Sequence, residues 1–225
     1  MATNDMAILW VNHSLRKLKD FAVLAWALTI HIHVKDKSAQ RATVNEVEDT
    51  IRRIFSKNPP ARYILAQLNF KVVGNKGRQT GGHTNWLAFC TDEHDRRVFR
   101  FEPNGWDKAN NPENKYFPIQ KVLKEAIHAA GGKSLEKWGS PSPLRANMND
   151  DLAKCNVLSA YMAVKWAQQP DNALELFSVL FSAPKEIRDA YALMVANRIQ
   201  TKTPKPHTLP KIGRGSKTLV LPKGK

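Results

Sequence analysis

A cysteine near the predicted start of a helix is the best-placed candidate nucleophile in this 225-residue chain. Cys155 follows Asp150 and Asp151, either of which could cap the helix that the apolar pattern predicts over residues 151–169. Backbone N–H groups and the helix dipole at such a position favour a thiolate, the form of cysteine that attacks a carbonyl carbon. The helix is also rich in apolar residues, so the pattern fits a small core residue at least as well.

Two further residues carry groups that a thiol-based reaction would use. His83 lies in "GGHTNW", two residues ahead of Asn85, and a histidine within reach of a thiol could take its proton. Glu102 ends a predicted strand directly before "PNG", where the chain turns and a side chain can point into a cleft. Neither residue predicts catalysis by itself. The other cysteine, Cys90, lies inside an apolar strand without an adjacent basic residue and is predicted to be unreactive.

The elements that must position these residues predict an α+β domain. Strands at 63–73, 85–91 and 96–102 are divided by polar turns and form an antiparallel meander. An amphipathic helix precedes them at 43–58, with Thr43 and Glu46 at capping-box spacing. Further helices are predicted at 119–132, ended by its glycines, and at 151–169, 172–182 and 184–200. Strands between helical segments indicate the α+β class.

The N-terminal region contains two more patterns. Residues 15–30, "LRKLKDFAVLAWALTI", include a ten-residue apolar run and are predicted to form a buried helix. The overlapping "TIHIHV" (29–34) alternates like a strand and places His31 and His33 on one face. Such a pair can bind metal, but without a third ligand nearby it favours a solvent-facing strand and no metal site. No segment approaches the ~20 apolar residues of a membrane span.

Composition divides the chain into two parts. Residues 1–200 are predicted to form one domain, whereas residues 201–225 contain seven Lys or Arg, four Pro and no acidic residue, which predicts a flexible basic tail. The net charge of +15 predicts attraction to polyanions, nucleic acid above all, through phosphates rather than bases. With two cysteines there is no disulfide framework, and a reducing compartment is expected.

Taken in order, several motifs resemble the adenovirus-type maturation proteases. This adenain family consists of cysteine proteases whose fold is related to that of the Ulp1-like SUMO proteases. The matching motifs are "GRQTGG" (77–82) before a strand, "WLAF" (86–89), "FEP" (101–103) with Gly105 two residues on, and Cys155 opening a long helix. The spacing from Trp86 to Glu102 also resembles that of the family. All these motifs lie within residues 70–170, and the N-terminal region and the tail match poorly.

The resemblance implies a papain-like or adenain-like cysteine protease fold, with a central antiparallel-rich sheet between helices. It also implies Cys155 as the nucleophile and Glu102 as the residue that orients a catalytic histidine. The family places an amide side chain, usually glutamine, six or seven residues before the cysteine, where it stabilises the oxyanion. Asn149, six residues before Cys155, is the candidate for that role, and Asn147 is the alternative.

The histidine departs from the family's pattern. The family's strand has Gly-Gly-x-His-Trp, whereas here Asn85 stands directly before the tryptophan, and asparagine cannot act as a general base at neutral pH. His83 lies two residues earlier on the same strand face, ~6.6 Å away at strand rise. One extra residue between the glycines and Trp86 permits a bulge there, which could bring His83 to the thiol. The alternative is a protease fold without activity, which Asn156 also favours because the family usually has glycine after its cysteine.

The prediction from the sequence is a viral or virus-like cysteine endopeptidase that cleaves capsid or core precursors during particle maturation. Its site would contain Cys155, His83, Glu102 and Asn149. The alternatives are an inactive relative that binds nucleic acid or capsid protein, and a basic nucleic-acid-binding domain unrelated to proteases.

The resemblance also bears on cofactors and location. No cofactor is expected, and the activator that the resemblance implies is nucleic acid. The family's disulfide-linked peptide cofactor is not expected, because it needs a cysteine between the acid and the nucleophile, and none lies between Glu102 and Cys155. We expect the protein in the virion and the host-cell interior, neither secreted nor bound to a membrane.

Overall fold

The computed structural model describes residues 4–33, 37–55, 61–74, 79–103, 117–138, 155–169, 179, 182–202 and 218–219. The longer helices are α1 (Asn4–Leu15), α2 (Lys37–Ile54), α3 (Phe117–Ala129), α4 (Cys155–Gln168) and α5 (Lys185–Lys202). The strands are β1 (Phe21–Leu24), β2 (Leu28–His33), β3 (Tyr63–Val73), β4 (Gln79–Cys90), β5 (Arg97–Phe101), β6 (Ser134–Trp138) and β7 (Thr218–Leu219).

The strands form one mixed sheet with the order β6-β5-β4-β3-β1-β7. β3, β4 and β5 pair antiparallel, which confirms the predicted meander. β1 and β2 both pair parallel with β3, β1 along its first residues and β2 along its last. β6 pairs parallel with β5. The long strands β3 and β4 therefore stand at the centre of the sheet, and His83 lies on one of them.

Helices cover the sheet on both sides. α2 and α3 share one core with Leu87 and Phe89 of β4, while α1, α4 and α5 share another with Trp86 and Ala88. Because successive strand residues point to opposite faces, β4 contributes side chains alternately to the two cores. Each side chain of β4 can thus be assigned to the α2–α3 face or to the α1–α4 face of the sheet.

The prediction of a buried helix over residues 15–30 is wrong. Only Leu15 is helical there, as the last residue of α1, and the apolar run forms β1 and the first part of β2. Ala22, Val23 and Leu24 are all buried, because β1 lies in a sheet that is covered on both faces. A strand of this kind is apolar at consecutive positions, and periodicity cannot distinguish it from a buried helix.

The other predicted elements agree with the structure more closely. The helix predicted at 43–58 is α2, but it begins at Lys37, so Thr43 lies inside the helix and does not cap it. The helix predicted at 119–132 is α3, followed by Gly131 with φ of +84°, a conformation that favours glycine. The helices predicted at 151–169 and 184–200 are α4 and α5. Most of the helix predicted at 172–182, and residues 151–154, lie outside the described residues.

The basic tail contributes one short strand. Thr218 and Leu219 of β7 pair parallel with Val23 and Leu24 of β1, in a segment that the sequence predicted to be flexible throughout. The rest of the tail beyond Lys202 lies outside the described residues. Among the helices that the structure describes, none is long and apolar enough to cross a membrane.

The turn after α3 provides a test of the packing. A Cβ atom at Gly132 would lie 2.5 Å from Ile127 Cγ2 and 2.9 Å from the Ile127 carbonyl oxygen. We expect Gly132→Ala to lower the free energy of unfolding by about 1–3 kcal/mol, measured by urea denaturation, because backbone and core must move apart. Lys121→Ala, an exposed change on α3, is the control and should stay within about 0.5 kcal/mol. Equal stability of the two variants would contradict this packing.

Candidate functional site

His83 and Glu102 form a buried pair between β4 and the end of β5. His83 Nε2 lies 3.0 Å from Glu102 Oε1 and 3.1 Å from Oε2, and the two side chains are only 4% and 1% exposed. The His83 ring also stacks on Phe70, its partner across the strand pair, with 6.1 Å between ring centroids. The structure therefore brings together the histidine and the acidic residue that the sequence singled out.

The buried guanidinium of Arg100 contacts the same carboxylate, a contact that was not predicted from the sequence. Arg100 donates hydrogen bonds from Nη2 to Glu102 Oε2 at 2.8 Å, from Nε to Asn85 Oδ1 at 3.0 Å, and from Nη1 to Gln120 Oε1 at 2.8 Å. Burial lowers the pKa of this guanidinium, and the neighbouring Glu102 opposes that effect. The alternation of side chains along a strand could have indicated Arg100, because it lies two residues from Glu102 and therefore shares a face of the sheet with it.

Asn85 belongs to the same hydrogen-bond network as Arg100 and His83. Its Oδ1 accepts from Arg100, which fixes the orientation of the amide, and its Nδ2 donates to the Phe101 carbonyl oxygen at 3.2 Å. Asn85 Nδ2 also lies 3.2 Å from His83 Nε2. The residue at the position where the family has its histidine thus helps to hold His83 and Arg100 in place.

The bulge expected between the glycines and Trp86 is not where the sequence analysis placed it. Pairing of β4 with β3 is regular from Gly81 through Cys90, and the register shifts only before Gly81, between the pairs Val72↔Gly81 and Val73↔Gln79. His83 and Asn85 thus lie on the same face, as predicted, in regular strand. His83 reaches Glu102 without a bulge, because Glu102 follows the last residue of β5.

The start of α4 is attached to the other face of the sheet. Asn156 Oδ1 accepts hydrogen bonds from Gln67 Nε2 at 2.6 Å and from Trp86 Nε1 at 3.3 Å, and Gln67 and Trp86 are partners across β3 and β4. The Asn156 side chain therefore attaches the start of α4 to β3 and β4. Cys155 is the first residue of α4, but its side chain lies outside the described part of the chain, as do Asn147 and Asn149.

β5 ends before it reaches the level of His83. It ends at Phe101, which pairs with Trp86, so His83 lies beyond the last pair of β4 and β5.

The remaining cysteine and the histidine pair lie apart from this network. Cys90 is fully buried, its thiol donates to Asp95 Oδ2 at 3.5 Å, and burial raises the pKa of the thiol, which disfavours a thiolate. His31 and His33 lie on one face of β2 with 6.3 Å between ring centroids, and both are half-buried. Within the described ranges no group of three or more metal-ligating side chains occurs.

No family model and no curated protein matches the sequence. Among solved structures, the chain is similar to ChlaDub1 from Chlamydia trachomatis, with a TM-score of 0.54, 10% identity and coverage of 93% of this chain and 94% of that one. It also matches the Chlamydia abortus effector protein ChlaDUB, with a TM-score of 0.46, 10% identity and coverage of 89% and 92%. A third match is the SUMO protease Ulp1 with an oxidised catalytic cysteine, with a TM-score of 0.40, 10% identity and coverage of 89% and 78%.

The likeness to ChlaDub1 shows a shared fold along nearly the whole of both chains. The predicted α+β class is confirmed by the mixed sheet flanked by helices, and this fold is shared with ChlaDub1.

The attachment of α4 to the sheet is testable. Asn156→Gly removes the acceptor that two buried donors share, Gln67 Nε2 and Trp86 Nε1. We expect it to lower the free energy of unfolding by about 1–3 kcal/mol beyond the effect of Asn45→Gly. Asn45 is exposed on α2, so its replacement measures the helix propensity of glycine alone. Equal losses in urea denaturation would show that the Asn156 contacts contribute nothing.

Proposed function

We propose that this protein is a cysteine endopeptidase in which Cys155 is the nucleophile, His83 the general base and acid, and Glu102 the residue that orients the imidazole. The buried His83–Glu102 pair is the observation that carries the proposal. A carboxylate held against one ring nitrogen is what a thiol protease needs to present the other nitrogen to its nucleophile. The position of Cys155 at the start of a helix, in a fold shared with ChlaDub1, also supports the proposal.

The proposed reaction follows from these roles. His83 Nε2 faces Glu102, so Nδ1 takes the proton of the Cys155 thiol, and the thiolate attacks the scissile carbonyl carbon. The oxyanion would accept hydrogen bonds from the Cys155 backbone N–H and the Asn149 amide. As the C–N bond breaks, His83 returns the proton to the leaving amine. Water then hydrolyses the thioester and regenerates the thiol.

For the substrate, we propose capsid or core precursor proteins of a virus or virus-like element, cleaved within the particle or the host cell. The adenain-like motifs, from "GRQTGG" to "FEP" and Cys155, support this assignment. We further propose that nucleic acid stimulates cleavage, because a chain of net charge +15 binds phosphates and would be concentrated on the same polyanion as its substrates.

A second function is favoured by Arg100. Its guanidinium pairs with Glu102, and this reduces the negative charge available to stabilise a protonated His83. Asn85 at the family's histidine position and Asn156 at its glycine position favour the same interpretation. Under this second proposal the protein keeps the protease fold and binds nucleic acid or capsid components without cleaving them.

Replacing each cysteine tests the first proposal. We expect Cys155→Ala to reduce proteolysis of a mixture of denatured proteins, measured as new amino termini, by at least about 10³-fold, because no other thiol is available at the site. Cys90→Ala, the matched control, should retain activity if it remains folded. Full activity of a folded Cys155→Ala variant would contradict the mechanism.

Labelling distinguishes the two functions. A peptide carrying a thiol-directed electrophile should modify Cys155 in the native chain, and His83→Gln should slow that reaction by about 10²–10⁴-fold. Intact mass measured on a Cys90→Ala background identifies the labelled residue. Absence of labelling, together with binding to a random-sequence DNA duplex that weakens steeply with salt, would instead support the non-catalytic function.

A further inference from the structure

Arg100 joins three separate parts of the fold at the His83–Glu102 pair. It is only 2% exposed, and its three hydrogen bonds reach Glu102 after β5, Asn85 on β4 and Gln120 on α3. Its guanidinium carbon also lies 5.3 Å from the centroid of the Phe70 ring, the ring on which His83 stacks. A flexible surface arginine would not be held by contacts of this number and variety.

Arg100 determines the charge of Glu102. A carboxylate removed from water ordinarily favours its protonated form, but a guanidinium that donates to it at 2.8 Å favours the ionised form. Arginine keeps its charge in proteins, so this effect is permanent. Glu102 is consequently an acceptor only, and any hydrogen atom between it and His83 belongs to the histidine.

The neighbours of His83 Nε2 make opposite demands on it, and the stronger hydrogen bond decides whether Nε2 carries a hydrogen or a lone pair. The two oxygens of Glu102 require a hydrogen on Nε2, whereas the Asn85 amide nitrogen at 3.2 Å would require a lone pair there. Hydrogen bonds to a charged acceptor are about twice as strong as neutral ones. Asn85 Nδ2 also has the Phe101 carbonyl oxygen as an acceptor. Nε2 therefore carries the hydrogen, and Nδ1 of a neutral His83 carries the lone pair.

We infer that Arg100 is a positioning residue that, by holding Glu102 ionised and Asn85 in one orientation, fixes His83 in the tautomer with the proton on Nε2 and the basic lone pair on Nδ1. The inference rests on the proposed function for its catalytic meaning, since Nδ1 is the atom that would take the Cys155 proton. The tautomer itself is a property of the folded chain and is measured without any reaction.

Nitrogen NMR of the ¹⁵N-labelled Cys155→Ala chain tests the inference, with His83→Gln to assign the signals. At neutral pH we expect an unprotonated, pyridine-type shift for Nδ1 and a protonated, pyrrole-type shift for Nε2. In Arg100→Met, Nδ1 should gain a proton. An ionised Glu102 without the guanidinium would draw His83 into its doubly protonated form, and a protonated Glu102 would donate to Nε2 and move the ring proton to Nδ1.

Arg97→Met is the matched control, because Arg97 lies on the same strand and its partly exposed side chain pairs with Asp95. It should leave both His83 shifts unchanged. A protonated Nδ1 in the Cys155→Ala chain with Arg100 intact, or a folded Arg100→Met variant with unchanged shifts, would overturn the inference. If Arg100 contributed to stability alone, Arg100→Met would lower the melting temperature of the chain without moving the Nδ1 signal of His83.

Removing the buried cation alone could prevent folding. In that case the charge-neutral double variant Arg100→Met/Glu102→Gln is used instead of Arg100→Met. We expect its His83 to be a mixture of both tautomers, and a single Nε2–H tautomer would overturn the inference.

The peptide-electrophile assay distinguishes the inference about the tautomer from the proposed function. Labelling of Cys155 with a protonated Nδ1 would refute the inference alone, and an unprotonated Nδ1 without labelling would refute the proposed function alone.

Discussion

The Glu102 carboxylate is the group on which the rest of the site depends. It is 1% exposed and is shared between a histidine and an arginine. Burying an ion costs several kcal/mol unless its partners are well placed, so both contacts require accurate geometry. Arg100 in turn donates from Nε to Asn85 and from Nη1 to Gln120. The middle of β4, the end of β5 and the start of α3 are therefore constrained together, and a loss at any one of them would affect the others.

The arrangement of the sheet explains why the candidate site is divided. His83, Asn85, Arg100 and Glu102 belong to the α2–α3 face, whereas Asn156 attaches the start of α4 above Trp86 on the opposite face. The early end of β5 leaves His83 beyond the last pair of β4 and β5. A nucleophile at the start of α4 and a base on β4 therefore come from different layers, which makes the position of α4 as important as the identity of its first residue.

Sequence patterns predicted the elements in which a buried face differs from an exposed face, and the strands that are bounded by turn residues. Val47, Ile51 and Ile54 mark the buried face of α2, and the meander is divided by clear turns. β1 was mistaken for a helix because burial on both faces removes alternation. Arg100 was overlooked because a charged side chain is usually exposed to solvent. Only the structure shows that Arg97 is partly exposed and Arg100 is buried. The sequence singled out His83 and Glu102, which the structure places in contact, but the regular strand that brings them together was not predicted.

The pH dependence of Cys155 alkylation by iodoacetamide, in the Cys90→Ala chain, tests most directly whether His83 serves the thiol. The reaction rate follows the thiolate, so its midpoint reports the pKa of Cys155. If His83 accepts the thiol proton, the midpoint lies well below the ordinary value of about 8.5 and returns toward it in His83→Gln. The same midpoint in both chains, near the ordinary thiol value, would contradict the account, because the His83–Glu102 pair would then have no effect on the proposed nucleophile.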